Sequence, residues 1–119
     1  TVPRINVTLR KSYGGAYIVM DSKNMGNDLA YAWPTAEIAV MGAKGAVEIL
    51  YRNADADERV ELEAASEERL LNPYVAAQRG TVDAVISPQE TRARISDGLA
   101  LLSSKREVLP NRKHDNTPL

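Results

Sequence analysis

Cysteine is absent from this 119-residue chain, and histidine occurs only once. The lack of thiols excludes disulfides and thiolate metal sites, and a single imidazole argues against a zinc site built by the protein alone. No apolar run approaches the roughly 20 residues of a membrane-spanning helix, and no basic-then-apolar signal opens the chain. These absences predict a cytoplasmic protein with no metal site and no membrane contact.

Excess charge of either sign is also missing. The formal net charge is -1 and the pI is about 5.8, so the chain has no broad cationic field that would attract nucleic acid. Hydrophobic residues make up 44% of the sequence, which is enough for one folding unit or part of one. The first residue is Thr1 and a strand pattern follows almost at once, which indicates a piece of a longer protein.

A strand, a glycine turn and a helix are predicted twice in succession. Ile5, Val7 and Leu9 alternate with polar residues, as in a strand with one buried face. Gly14-Gly15 breaks that pattern, and Ala16 to Met20 follows as a helix packed on several sides.

The second unit repeats this order. It has a buried strand over 37–41, a break at Gly42 and a helix from Lys44 or Gly45 to Arg52, which a Glu48–Arg52 pair would support. The repeat indicates an α/β architecture.

Further elements follow from local signals. A short strand is predicted over 29–33, a solvated acidic helix over 53–71, a helix over 73–79 between an Asn72 cap and Gly80, and a strand over 81–86. The Ser87–Glu90 spacing indicates a capping box opening a helix with Thr91, Ile95, Leu99 and Leu102 on one face. The segment past Pro110 is predicted to be an arm, with His114 at its surface.

The first glycine turn has two interpretations. A helix N-terminus presents unpaired amides, and a residue without Cβ lets an anion approach them, so Gly15 and Ala16 are suitable oxyanion donors. The alternative is a tight turn that serves packing only. Neither glycine turn has the spacing of a phosphate loop or a dinucleotide fingerprint, so nucleotide binding is not supported.

Four segments in order, "RKSYGGAYIVM", "AWPTAEIAVMGAKGAVEILYR", "NPYVAAQRGTVDAVI" and "KREVLPNRKHDNTPL", resemble the C-terminal end of the carboxyltransferase β subunit of biotin-dependent acyl-CoA carboxylases. The resemblance covers almost the whole chain. It implies a crotonase-like ββα superhelix, of which residues 1–119 would be the C-terminal portion of the second, biotin-side domain. Such a portion is expected to be inactive alone.

The resemblance also implies the chemistry. A carboxyl group passes from carboxybiotin, held on a partner protein, to the α carbon of acetyl-CoA or propionyl-CoA, and biotin itself is the base. Gly15 and Ala16 would stabilise the ureido oxygen of biotin. Ile18, Tyr17 and Met20 would border the acyl pocket.

The implied partners are acyl-CoA, a biotin carboxylase and biotin carboxyl carrier α subunit, and further β subunits in a ring-like oligomer. Two alternatives stay open. One is a biotin-dependent decarboxylase or transcarboxylase, and the other is a non-catalytic assembly module of the same fold.

Overall fold

The computed structural model describes residues 2–39, 43–70, 72–106 and 108, which form short parallel strands alternating with helices. The strands are β1 (Ile5–Thr8), β2 (Lys11–Tyr13), β3 (Leu29–Ala32), β4 (Glu37–Ala39) and β5 (Ala84–Val85). The helices are α1 (Gly14–Val19), α2 (Ala43–Leu50), α3 (Ala56–Leu70), α4 (Pro73–Gln78) and α5 (Thr91–Leu101). Three 3-10 turns lie at Lys23–Met25, Pro88–Glu90 and Leu102–Ser104. The predicted α/β class is therefore confirmed.

The strands form two parallel sheets. One has the order β1-β3-β5, and in it Ile5 lies opposite Leu29 while Tyr31 lies opposite Ala84. The other pairs β2 with β4. Because β2 leads into α1 and β4 precedes α2, the parallel pairing brings the two strand-turn-helix units side by side.

The core is small and lies behind β3 and β4. Its buried residues are Ala32, Ala36, Ile38, Ala76 and Val82, with Tyr17 and Ala77 packed against them. Helix α5 covers the β1-β3-β5 sheet at Gly98, where an added Cβ would lie 2.9 Å from Leu29 Cδ1 and 3.0 Å from Ile5 Cδ1. The glycine thus allows the helix to approach the strands closely.

The helix caps that the sequence predicts are present in the structure. Asn72 Oδ1 accepts hydrogen bonds from the amides of Tyr74 and Val75, each at 3.1 Å, and Gly80 has φ +74° at the end of α4. Glu90 Oε2 accepts the amide of Ser87 at 2.9 Å and its hydroxyl at 2.8 Å. Both helix starts predicted from side-chain chemistry are confirmed.

Two burial predictions were wrong. The side chains of β1 are all half-buried instead of alternating, since β1 pairs on one side with β3 and only part of its surface is covered. Helix α1 begins at Gly14 and has no buried residue; Val19 and Met20 are 74% and 72% exposed. Among the described residues, nothing covers the outer face of this helix, which the sequence pattern predicted to be packed.

One side-chain prediction on the later helices was also wrong, and another was met in part. The Glu48–Arg52 ion pair does not form, because α2 ends at Leu50 and Arg52 lies in the following turn. On the predicted face of α5, Thr91, Ile95 and Leu102 are half-buried, but Leu99 is 48% exposed and the buried position is Gly98. The small residue, and not the leucine, faces the sheet because the strands lie too close for a larger side chain.

The other predictions were met at least in part or lie outside the described residues. The strand predicted over 81–86 is only Ala84–Val85, since Asp83 and Ile86 bond to β3 through single amides. The solvated helix over 53–71 is present as α3 and is mostly exposed. The predicted end of β4 at 40–41, Gly42 and the arm with His114 lie outside the described residues.

Candidate functional site

The turn from β2 into α1 is set by a glycine that no other residue replaces without strain. Gly14 has φ +64°, in the left-handed region that favours glycine. Tyr13 precedes it in an extended conformation at the N-cap and makes no side-chain capping hydrogen bond. The first amides of an α-helix have no acceptor within the helix, so those at the start of α1 face outward from the turn.

Open space lies in front of this turn. A Cβ added at Gly15 would meet no atom within 4 Å, and Gly15 and Ala16 are both exposed. A side chain at Gly15 would therefore occupy this space without displacing protein atoms. The backbone is reachable by a ligand at the position where the sequence predicts an oxyanion.

A cleft of about 330 Å³ runs beside α1. Its walls are the chain from Asn6 to Tyr13 on one side and, on the other, Ala16 and Tyr17 of α1 and Met20 directly after it. Ala16, Tyr17 and Met20 are spaced like the residues of one helix face. The volume lies within the range of small-molecule sites, about 300–1,000 Å³.

Hydrogen bonds hold both ends of α1. Asn6 Nδ2 donates to the carbonyl of Met20 at 3.0 Å, and Ser22 Oγ, which is buried, donates to the carbonyl of Ile18 at 3.1 Å. At the other end the phenol of Tyr13 donates to Glu37 Oε2 on β4. The helix is therefore positioned by its ends, although its side chains are not buried.

The environment of Tyr13 keeps its phenol protonated. Burial, together with the hydrogen bond and negative charge of Glu37 and the more distant charge of Glu67, raises the pKa of Tyr13 to about 12. The hydroxyl is consequently a donor throughout the neutral range.

The structure brings together three of the five residues that the sequence predicts for the site. Ala16, Tyr17 and Met20 line the cleft, and Gly15 lies beside it on the same turn. Ile18 is not among the cleft residues, and its side chain is 38% exposed. Tyr17 also packs against the core, so it has a structural role besides lining the cleft.

Sequence reasoning missed two residues of the site, Asn6 and Glu37. Asn6 occupies a polar position of β1, where alternation alone gives no hint of a partner on α1. Glu37 becomes a neighbour of Tyr13 only through the parallel pairing of β2 and β4. The predicted repeat gave no signal for this contact, because its first strand, around Ile5–Leu9, is β1 and pairs with β3, whereas β4 pairs with β2.

The second strand-turn-helix unit, β4 and α2, differs from the first in how its helix is packed. Ala43 and Val47 of α2 are buried, and a groove of about 200 Å³ between α2 and α3 is lined in part by Leu50, Leu62 and Ala65. Within the described ranges there is no group of acidic or histidine side chains able to hold a metal ion. Nor is any helix there long and apolar enough to cross a membrane.

Comparison with known proteins identifies the family of this chain. The carboxyl transferase domain family matches residues 1–117. The chain belongs to this family.

Its curated relatives are longer proteins. The chain is 55% identical to the propionyl-CoA carboxylase beta chain of Cereibacter sphaeroides and 54% identical to the biotin-dependent acetyl-/propionyl-coenzyme A carboxylase beta5 subunit of Mycobacterium leprae, in each case over 100% of this chain and 24% of the relative. The rat mitochondrial propionyl-CoA carboxylase beta chain is 55% identical over 22% of its length. The chain thus spans about a quarter of these relatives.

Solved structures agree with the sequence relationship. A transcarboxylase 12S structure, described as a hexamer with methylmalonyl-coenzyme A and methylmalonic acid bound, superposes with a TM-score of 0.94 at 46% identity, over 100% of this chain and 23% of that one. A single-chain long-chain acyl-CoA carboxylase gives a TM-score of 0.67 at 34% identity over 82% of this chain and 10% of that one. The fold is that of part of a crotonase-like carboxyltransferase domain, as the resemblance implied.

Proposed function

We propose that this chain is the C-terminal portion of the biotin-side domain of a carboxyltransferase that moves a carboxyl group from carboxybiotin to the α carbon of a short-chain acyl-CoA. The observation that carries the proposal is the exposed Gly14-Gly15 turn, open in front of Gly15, beside a cleft at the start of α1. Family membership and the names of the relatives support the same reaction.

The residues around the turn fit biotin. A bicyclic ring needs a shallow cleft with apolar walls and hydrogen-bond donors at one end, and Tyr17 and Met20 provide such walls. The Gly15 position leaves room for a ligand oxygen to approach the backbone. When bound, carboxybiotin supplies the carboxyl group and then the base that removes the α proton.

The protein's own contribution is electrostatic. The amides of Gly15 and Ala16 donate to the ureido oxygen as negative charge develops on it. Donors already aimed at that position need no reorganisation during the reaction, and loss of one such donor costs about 3 kcal/mol in other enzymes. Side-chain acids and bases are therefore unnecessary at this half of the site.

The acyl group of the substrate is proposed to meet apolar side chains. Ile18, Tyr17 and Met20 are proposed to border it, and short acyl chains suit their apolar side chains. One methylene changes binding by only about 1–3 kcal/mol, so acetyl-CoA and propionyl-CoA are both retained as substrates.

The same proposal assigns partners. The carboxyl group comes from biotin on an α subunit that carries biotin carboxylase and carrier functions, and the β subunits assemble into a homo-oligomer. The exposed apolar residues of α1 fit a fragment that is covered by the remainder of such a subunit. The cytoplasmic location stays a prediction from composition.

The test uses two matched substitutions in a complete β subunit. This chain forms the corresponding quarter of that subunit. Gly15→Leu fills the open space at the turn, whereas Gly45→Leu on α2 makes the same change where an added Cβ also meets nothing within 4 Å. We expect Gly15→Leu to lower carboxyl transfer at least 100-fold with the oligomer intact, and Gly45→Leu to retain transfer.

Unchanged transfer in Gly15→Leu would show that the turn serves packing only, as in the assembly-module alternative. Oligomer size, measured by light scattering, separates the two cases. The isolated chain should give no carboxylated acyl-CoA, and appreciable turnover by it would contradict the partial-site proposal.

The similarity to transcarboxylase 12S favours one second candidate, a subunit that exchanges carboxyl groups between acyl-CoA and another biotin-dependent partner. The residues of this chain would have the same roles in it. Assaying the complete subunit with each type of biotin carrier distinguishes carboxylase, decarboxylase and transcarboxylase.

A further inference from the structure

The N-cap residue of α1 has a partner outside its own unit. Tyr13 is the last residue of β2, and its phenol crosses to Glu37, the first residue of the parallel strand β4. In the register of this pair Tyr13 lies opposite Ala39, and Glu37 lies opposite Lys11. The hydrogen bond therefore runs diagonally between the two strands and not along the backbone ladder.

The acceptor is a carboxylate, and such charge-assisted hydrogen bonds are about twice as strong as neutral ones. Tyr13 and Glu37 are both only half-buried, but the phenol stays a donor because its pKa lies far above neutrality. The interaction is thus present across the pH range in which a carboxyltransferase would be assayed.

Besides Tyr13, the half-buried Tyr17 fixes the start of α1, because it packs against the core. The helix has only six residues and none is buried, and its far end is held by Asn6 and Ser22. Gly14, at φ +64°, is the one residue between Tyr13 and the donor amides, so a shift of Tyr13 reaches those amides through a single residue. The orientation of the first turn consequently depends on where Tyr13 is held at its beginning and on the packing of Tyr17 at its end.

We propose that Tyr13 and Glu37 form a positioning pair that fixes the direction of the Gly15 and Ala16 amides. The proposal rests on the oxyanion role given above and adds two residues to it. Neither residue acts on the reacting atoms; the pair acts through the backbone of the turn. A misplacement of donors by a fraction of an ångström weakens their stabilisation of developing charge.

The experiment uses Tyr13→Phe, Glu37→Ala and Glu37→Gln in the complete β subunit, with Tyr74→Phe as control. Tyr74 is 57% exposed on α4, so its hydroxyl is removed without a change near the turn. We expect Tyr13→Phe and Glu37→Ala each to lower kcat for carboxyl transfer about 10-fold, with KM for acyl-CoA and Tm unchanged.

Two further results identify a pair. Glu37→Gln keeps an acceptor oxygen and should retain at least one-third of the wild-type kcat. The double variant Tyr13→Phe/Glu37→Ala should be no slower than either single variant, because each already breaks the same hydrogen bond. Multiplying losses, or a fall in kcat that follows loss of the oligomer or a lower Tm, would overturn the positioning role.

The Gly15→Leu variant separates this proposal from the one on which it rests. If Gly15→Leu abolishes transfer while Tyr13→Phe retains full kcat, the oxyanion role stands and the positioning pair is wrong. If Gly15→Leu retains transfer, both are wrong.

Discussion

The two strand-turn-helix units look alike in sequence but are stabilised differently. The first unit, β2 and α1, is held by hydrogen bonds at the ends of its helix and by the packing of Tyr17, and exposes the other side chains between those ends. In the second unit, α2 buries Ala43 and Val47 and packs against α3. Hydrogen bonds at the ends orient the backbone of a helix while leaving its face open to a ligand, whereas packing uses up that face. This difference explains why the face of α1 beside the cleft stays open.

The largest expected effect comes from breaking the first turn. Gly14→Val places a β-branched residue at φ +64°, a conformation that costs such a residue about 2–3 kcal/mol and that the turn can relieve only by rotating the following amides. We expect carboxyl transfer by the complete β subunit to fall at least 100-fold. Gly45→Val on α2 is the control, and equal activity of the two variants would contradict the comparison.

Breaking the second unit should affect stability instead of transfer. Val47 is 2% exposed, so Val47→Ala removes two buried methyl groups and leaves a cavity, at a cost of about 2 kcal/mol. Amide hydrogen exchange in α2 should accelerate about 30-fold while kcat stays within twofold of wild type. A large loss of transfer would mean that the second unit also supports the site.

A smaller effect is expected at the far end of α1. Asn6→Ala removes the hydrogen bond to the Met20 carbonyl, which contributes about 1 kcal/mol. Exchange of the α1 amides should accelerate about fivefold, with little change at α2. Asn53→Ala, in the turn after α2, serves as the matched control, and equal acceleration of α1 in both variants would argue against end anchoring.

The smallest effect concerns pH. Asp28 accepts hydrogen bonds from Lys105 Nζ at 2.9 Å and from the Arg4 amide at 2.8 Å, and these lower its pKa below 3.8. A folded-state pKa below the unfolded value gives stabilisation that is present above about pH 4 and is lost as the pH falls through the folded value. The Tm of the wild-type complete β subunit should therefore fall more steeply below pH 4.5 than the Tm of the Asp28→Asn variant.

The matched control for this pH series is Asp97→Asn, an exposed substitution on α5. Its Tm should follow the wild-type pH curve. Parallel curves for wild type and Asp28→Asn would show that the carboxylate of Asp28 does not link the two chain segments that it contacts.

Local chemistry was readable from the sequence wherever a side chain or a glycine acts on its own neighbours. Asn72 marks a helix start because its Oδ1 accepts the amides two and three residues later, and Ser87 marks another because its amide donates to Glu90 three residues later. Gly80 ends a helix because it takes positive φ. The Gly14-Gly15 turn belongs to the same class. The resemblance to carboxyltransferase β subunits, and not periodicity, connected this turn to the ureido oxygen of biotin.

Burial was much less predictable, since it depends on what packs against an element. Val19 and Met20 are apolar, and nothing in the sequence pattern predicts that they are exposed in the described part of the chain. Gly98 faces the sheet in place of Leu99 because α5 approaches β1 and β3 too closely for a side chain. Neither outcome follows from a pattern within one segment.

The sequence by itself determined the family, the α/β class and the glycine turn, because these depend on residue identity and on contacts between near neighbours. Only the tertiary structure decided that Tyr13 meets Glu37, that Asn6 holds the end of α1, and that a cleft opens beside Ala16. Those contacts join residues up to 24 positions apart, and the parallel pairing of β2 with β4 is what brings Tyr13 to Glu37.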